Sequence, residues 1–190
     1  MFTVKSCLST FAASLSILAA APASASFFAG NTTGDPAFNR PLSDFSALSS
    51  VGTAVPYDVF SFSVDTSGLY TFLSVAAKDS TGVRWDNFLL LYQGSFDPAH
   101  ATANGVVGND DAKSVGFSAF SDVSLSTGTA YYLVTTGYSN TSSGQFVDFI
   151  SGPGNIIAVV PEPETYAMLA LGLLVVGLKA GRRTRAVTSA

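Results

Sequence analysis

The residues best equipped for chemistry in this chain are carboxylates. Asn109, Asp110 and Asp111 stand together in a glycine-rich stretch, with Asp86 as a further acid of the same constellation. Adjacent carboxylates repel one another unless a cation or hydrogen bonds compensate. Hard oxygen ligands of this kind suit Ca²⁺, with loop carbonyls completing the shell. The same Asn-Asp-Asp run is also good turn chemistry, because short polar side chains bond to their own backbone. Paired acids serve glycoside hydrolysis too, provided two of them face each other across a cleft. The residue types leave all three readings open.

Other catalytic sets are thin. His100 is the only histidine, so a histidine-based zinc site has no second ligand, and it sits in a polar stretch after Pro98. No Gly-x-Ser-x-Gly elbow marks a nucleophilic serine. There is no phosphate-binding Gly-x-x-x-x-Gly-Lys loop and no dinucleotide fingerprint. The sole cysteine, Cys7, falls in a segment read below as removed, leaving the mature chain without disulfide or thiol chemistry. Trp85 beside Arg84 offers a ring that would stack on a sugar, or equally a plate that packs at a sheet edge. The expectation is a protein without catalytic residues.

The elements that must hold these groups are strands. Of 190 residues only 12% are charged, against about 25% in an average soluble chain. The shortfall is greatest at the two ends, which sets them apart from the middle. Between residues 26 and 158 there are eleven Asp, no Glu and four basic residues (Arg40, Lys78, Arg84, Lys113), so the net charge is 4 − 11 = −7. That balance disfavours nucleic acid and anionic lipid as partners. Residues 26–55 are rich in Ser, Thr, Gly, Asn and Pro and read as a loop-rich entry with a strand or two. Phe60, Phe62 and Val64 alternate with Ser61, Ser63 and Asp65, the pattern of a half-buried strand. Thr66-Ser67-Gly68 turns the chain into a second strand over 69–77. The run 87–93 is almost continuously apolar, which predicts a central strand buried on both faces. Residues 115–125 hold one or two shorter strands, 130–138 another, and 145–150 the last, ending at Gly152-Pro153-Gly154. About seven or eight short strands with regular turns predict an all-β fold, an antiparallel β-sandwich or jelly-roll-like domain.

Both ends read as membrane signals. Residues 1–25 have Lys5 ahead of an uncharged, Ala- and Leu-rich stretch, then Ala23-Ser24-Ala25, which a signal peptidase accepts for cleavage before Ser26. At the other end, residues 166–178 are uncharged and mostly Leu, Ala, Val and Gly. That is short for a transmembrane helix, which needs about 20 apolar residues. The flanking Lys179, Arg182, Arg183 and Arg185 lengthen the effective span by snorkelling and keep this end cytoplasmic. The body of the protein is therefore expected outside the cytoplasm.

Ahead of that segment lies Val160-Pro161-Glu162-Pro163-Glu164-Thr165, and after it Gly181-Arg182-Arg183. The order resembles a bacterial PEP-CTERM sorting signal over residues 159–185. The resemblance implies recognition of Pro161, Glu162 and Pro163 by an exosortase, and association with exopolysaccharide and biofilm or floc matrices. Two prolines would keep the recognition segment extended. The middle, about residues 57–157, resembles bacterial pre-peptidase C-terminal β-sandwich modules, carried by Asp86 to Pro98, Gly108-Asn109-Asp110-Asp111, Thr127 to Val134 and Ile150 to Gly154. That resemblance implies an accessory or binding role. The expected function is a non-enzymatic envelope or matrix protein. The competing expectations are a hydrolase of extracellular polysaccharide and a stably anchored membrane protein that is never processed.

Overall fold

The computed structural model describes residues 24–159. Within them the regular elements are ten strands and one short 3₁₀ turn, Pro98–His100. The strands are β1 (Ser24–Asn31), β2 (Ala37–Phe38), β3 (Val55–Val64), β4 (Gly68–Ala76), β5 (Asn87–Gln93), β6 (Gly105–Asn109), β7 (Phe117–Leu125), β8 (Tyr131–Gly137), β9 (Gln145–Gly152) and β10 (Ile156–Ala158). All pairings are antiparallel. One sheet runs β1-β9-β4-β7, and the other β10-β3-β8-β5-β6 with β2 added to β3. The all-β, antiparallel expectation holds for this span.

Alternation explains how the sheets meet. Phe62 and Val64 of β3, Leu89 and Leu91 of β5, and Tyr131 and Leu133 of β8 point inward onto Tyr70 and Phe72 of β4, Val123 of β7 and Ile150 of β9. The central apolar run of β5 is buried on both faces, as its composition requires. Its other residues, Phe88, Leu90 and Tyr92, join Phe38, Ala101 and Val134 in a second core on the far side of the larger sheet. A fully buried leucine or phenylalanine contributes roughly 1.5–3 kcal/mol, so β5 anchors both layers.

The entry segment covers that second core. Phe38 meets Tyr57 edge-on at 4.8 Å between ring centroids, and Phe45 meets Tyr92 at 5.2 Å. A bridge between Pro41 and Leu48 closes the loop. The region read as a loop-rich entry with a strand or two, 26–55, thus holds most of β1 and all of β2, and its irregular part is a lid over this core.

Residues 115–125, read as one or two strands, form one, Phe117–Leu125, with a register break opposite Tyr70 and Phe72 and with Asp122 at φ 58°. Strands β6 and β10 carry no alternation long enough to signal them. In β6, Gly108 is there for close approach: a Cβ would lie 2.8 Å from the Leu90 side chain and 3.0 Å from the Ser43 carbonyl.

Among the described residues no helix is long and apolar enough to cross a membrane. The expected leader up to Ala23, the sorting residues Pro161, Glu162 and Pro163, the span 166–178 and the basic residues Lys179, Arg182, Arg183 and Arg185 lie outside the described residues. Ala25 and Ser26 are inside them, in β1, opposite Ser151 and Ile150. Cleavage between them would leave Ser26 to Asn31 paired with Gln145 to Ile150.

Candidate functional site

Two neighbouring strands build the acidic cluster. Asp86 immediately precedes β5, and Asp110 and Asp111 immediately follow β6. Because Leu89 pairs with Asn109, the three acids come together at one end of this strand pair. One oxygen from each of Asp86, Asp110 and Asp111 lies within 4.8 Å of the others. The Asn109 side-chain oxygen accepts the Ala119 N–H at 3.0 Å and ties β6 to β7.

The electrostatics are strained. Oδ1 of Asp86 and Oδ1 of Asp110 are both buried without a hydrogen-bond partner. Burial pushes the Asp110 carboxyl up to about 6, the neighbouring charges of Asp86 and Asp111 add to the rise, and Arg40 opposes it. Asp86 is raised by burial and by Asp111, again against Arg40.

Arg40 is the functional residue that sequence reasoning missed. It is 2% exposed. Its Nε and Nη2 donate to the Tyr138 carbonyl at 3.1 and 2.8 Å, and Nη1 donates to the Pro41 carbonyl at 3.0 Å. The guanidinium lies 4.1 Å over the Phe88 ring. Its hydrogen bonds go to neutral carbonyls, so its charge is balanced through space by the acids. A lone Arg in an irregular segment carries no spacing signal that could have revealed this.

A set of oxygen ligands with two unpartnered atoms can take a hard cation such as Ca²⁺. Occupancy predicts that adding Ca²⁺ raises the melting temperature, by the equivalent of about 2.7 kcal/mol at a hundredfold excess over the dissociation constant. The double variant Asp110→Asn, Asp111→Asn should lose that response. An unchanged wild-type melting curve would assign the compensation to Arg40 alone.

The other singled-out residues have local roles. His100 Nδ1 lies 2.8 Å from Asp97 Oδ2 in an exposed turn. The Trp85 indole N–H donates to the Gln145 carbonyl at 2.8 Å, and its ring lies where a Cβ on Gly144 would be. Arg84 lies 4.7 Å over the Phe117 ring and donates to the Ala76 carbonyl. Trp85 is thus held, half-buried, against the start of β9.

The sorting segment has a well-defined point of departure. β10 pairs with β3, and the Val159 N–H donates to the Ser61 carbonyl at 2.8 Å. The chain is therefore bonded to the sheet edge until two residues before Pro161. Residues 159–183 match the family described as the PEP-CTERM protein-sorting motif. No curated protein matches the chain. The motif indicates an exported, envelope-associated protein with an exosortase as its processing partner.

Proposed function

We propose, taking the PEP-CTERM motif at residues 159–183 as the premise, that the chain is a non-enzymatic envelope or extracellular-matrix protein. Its β-sandwich is a structural or carbohydrate-contacting module working among exopolysaccharide, akin to the accessory modules it resembles. A signal peptidase removes residues 1–25, a single helix over 166–178 holds the chain in the membrane, and the exosortase acts at Pro161-Glu162-Pro163.

The observation that carries this reading is the motif together with its position. It begins where the hydrogen-bonded sheet ends, so a rigid ectodomain is delivered to the processing enzyme with almost no slack. Residues 160–165 can span at most about 3.6 Å each, which keeps the sandwich at the membrane surface until it is released.

The test is the intact mass of the protein in membrane and medium fractions of its host, compared with a variant carrying alanine at 161, 162 and 163. The wild type should lose its C-terminal segment and leave the membrane; the variant should run to Ala190 and stay. A wild type that runs to Ala190 and is found only in membrane would establish a plain anchor instead. The hydrolase alternative is separated by Asp110→Asn with Asp111→Asn: under the matrix reading no polysaccharide-cleaving activity exists to be lost.

A further inference from the structure

We propose that β1 is a docking edge for a second copy of this chain, forming a two-fold, antiparallel β1–β1 pair that joins the two small sheets into one. Four observations carry this, and they do not depend on what the sandwich binds.

The first is that β1 is open. It occupies the end of its sheet, with β9 on one side and no strand on the other among the described residues. Thr32 N–H donates to the Gly144 carbonyl across the continuation of the β1–β9 ladder. Main-chain groups alternate in direction along an antiparallel strand. The even-numbered residues therefore bond to β9, and Phe27 and Ala29 direct their N–H and C=O groups away from the sheet. Asn31 marks where the free edge stops, because its backbone lies beside the Asp58 carboxylate and helps to stabilise its charge.

The second is that β1 carries none of the devices that blunt an edge. Protected edges are short, bulged, charged or proline-bearing. β10 is three residues long. β6 is five residues with a register break. β7 has the break opposite Tyr70 and Phe72 and the exposed Asp122 at positive φ. β1, Ser-Ala-Ser-Phe-Phe-Ala-Gly-Asn, pairs along all eight residues without a shift and has no charge and no proline.

The third is charge. Two copies of a domain carrying 4 − 11 = −7 over residues 26–158 repel each other. An uncharged edge is where that repulsion is weakest.

The fourth is the outer face beside the edge. Phe27 lies opposite Phe149, which lies opposite Leu73, which lies opposite Ala119. Phe27 is 75% exposed. A water-facing antiparallel sheet normally alternates to polar residues on this side. Here the apolar row runs up to the open edge, so pairing through β1 would continue it across the dyad. The register that uses both free residues is centred on Phe28: Phe27 of each copy pairs with Ala29 of the other. It survives cleavage before Ser26.

The test is sedimentation of the full chain in detergent across the micromolar range, with amide hydrogen exchange at Phe27 and Ala29. The wild type should form a dimer whose exchange at these two amides slows with concentration. Ala29→Pro removes one outward N–H without touching the β9 bonds, and Phe27→Lys places a charge at the edge. Each should weaken association by about tenfold or more while leaving the melting temperature near that of the wild type. Leu73→Lys, on the same face but away from the edge, should leave the dimer intact. A wild type that stays monomeric, or a dimer lost in Leu73→Lys and kept in Phe27→Lys, overturns the proposal; the latter would mean stacking of faces.

Discussion

Replacing Asp148 with Asn is expected to make the protein more stable at pH 8, not less. Asp148 is 1% exposed, on the inward face of β9. Its Oδ2 accepts the Thr135 hydroxyl at 2.6 Å, and Ser74 of β4 lies directly across the ladder from it. Oδ1 is buried with no partner. The charged group facing it is Asp58 of β3, which has the same sign. Burial pushes the Asp148 carboxyl up to about 7 against an ordinary 3.8, and Asp58 adds to the rise. The folded state therefore holds a proton that the unfolded chain releases above about pH 4. The fold keeps the full benefit below that pH and loses it as pH rises to about 7, for a total on the order of 4 kcal/mol. Asn has the same shape and no charge, and the Thr135 and Ser74 hydroxyls can turn to accept its N–H groups. Chemical denaturation should show the variant ahead of the wild type at pH 8, with the difference gone near pH 4. A variant that is weaker at pH 8 would show that Asp148 is ionised and balanced by a cation.

Asp148 is one end of a polar seam through the apolar interior. The Asn87 side chain donates to the Ser74 hydroxyl at 2.8 Å. The Ser118 hydroxyl is within hydrogen-bonding reach of the carbonyls of both Asn87 and Asp110. Asn87, Ser74 and Ser118 are fully buried. The seam thus runs from the β9 acid to the cluster of Asp86, Asp110 and Asp111. At both ends a buried carboxylate oxygen lacks a partner, so the interior is most at ease when these acids hold protons or meet a positive charge.

The sequence made the strands visible where burial has a period. Phe60, Phe62 and Val64 announce a half-buried strand, and the unbroken run of β5 announces burial on two faces, because each pattern follows from which sides meet apolar neighbours. Gly105 to Asn109 and Ile156 to Ala158 do not show, since three to five residues with glycine or without alternation have no period. Asp110 and Asp111 were legible as a cluster because they are adjacent, and Asp86 because it opens the run that pairs beside them. Arg40 and Asp148 were not legible. Their importance lies in contacts between residues nearly a hundred positions apart, such as Arg40 with Tyr138, and in depth, which composition does not encode.

Arg40→Ala is expected to be the most damaging single substitution, at about 3–5 kcal/mol, the usual cost of breaking a buried charge arrangement by removing one member. Two costs combine. Arg40 pins the entry segment: its N–H donates to the Gly52 carbonyl, its carbonyl accepts from Ser49, and its side chain reaches Tyr138 at the end of β8. Without it the cover over Phe88 loses its fastening. The larger cost is electrostatic, because Asp110 and Asp86 would lose the one charge that opposes their burial. Asp110, already pushed up to about 6, would be raised further. The loss should therefore be greater at pH 8 than at pH 5, where Asp110 is largely protonated even in the wild type. Adding Asp110→Asn should recover part of the stability at pH 8, and the double-mutant cycle isolates the coupling. Equal losses at both pH values, with no recovery in the double variant, would mean that Arg40 acts only as a fastener and that the acidic cluster is balanced by something else.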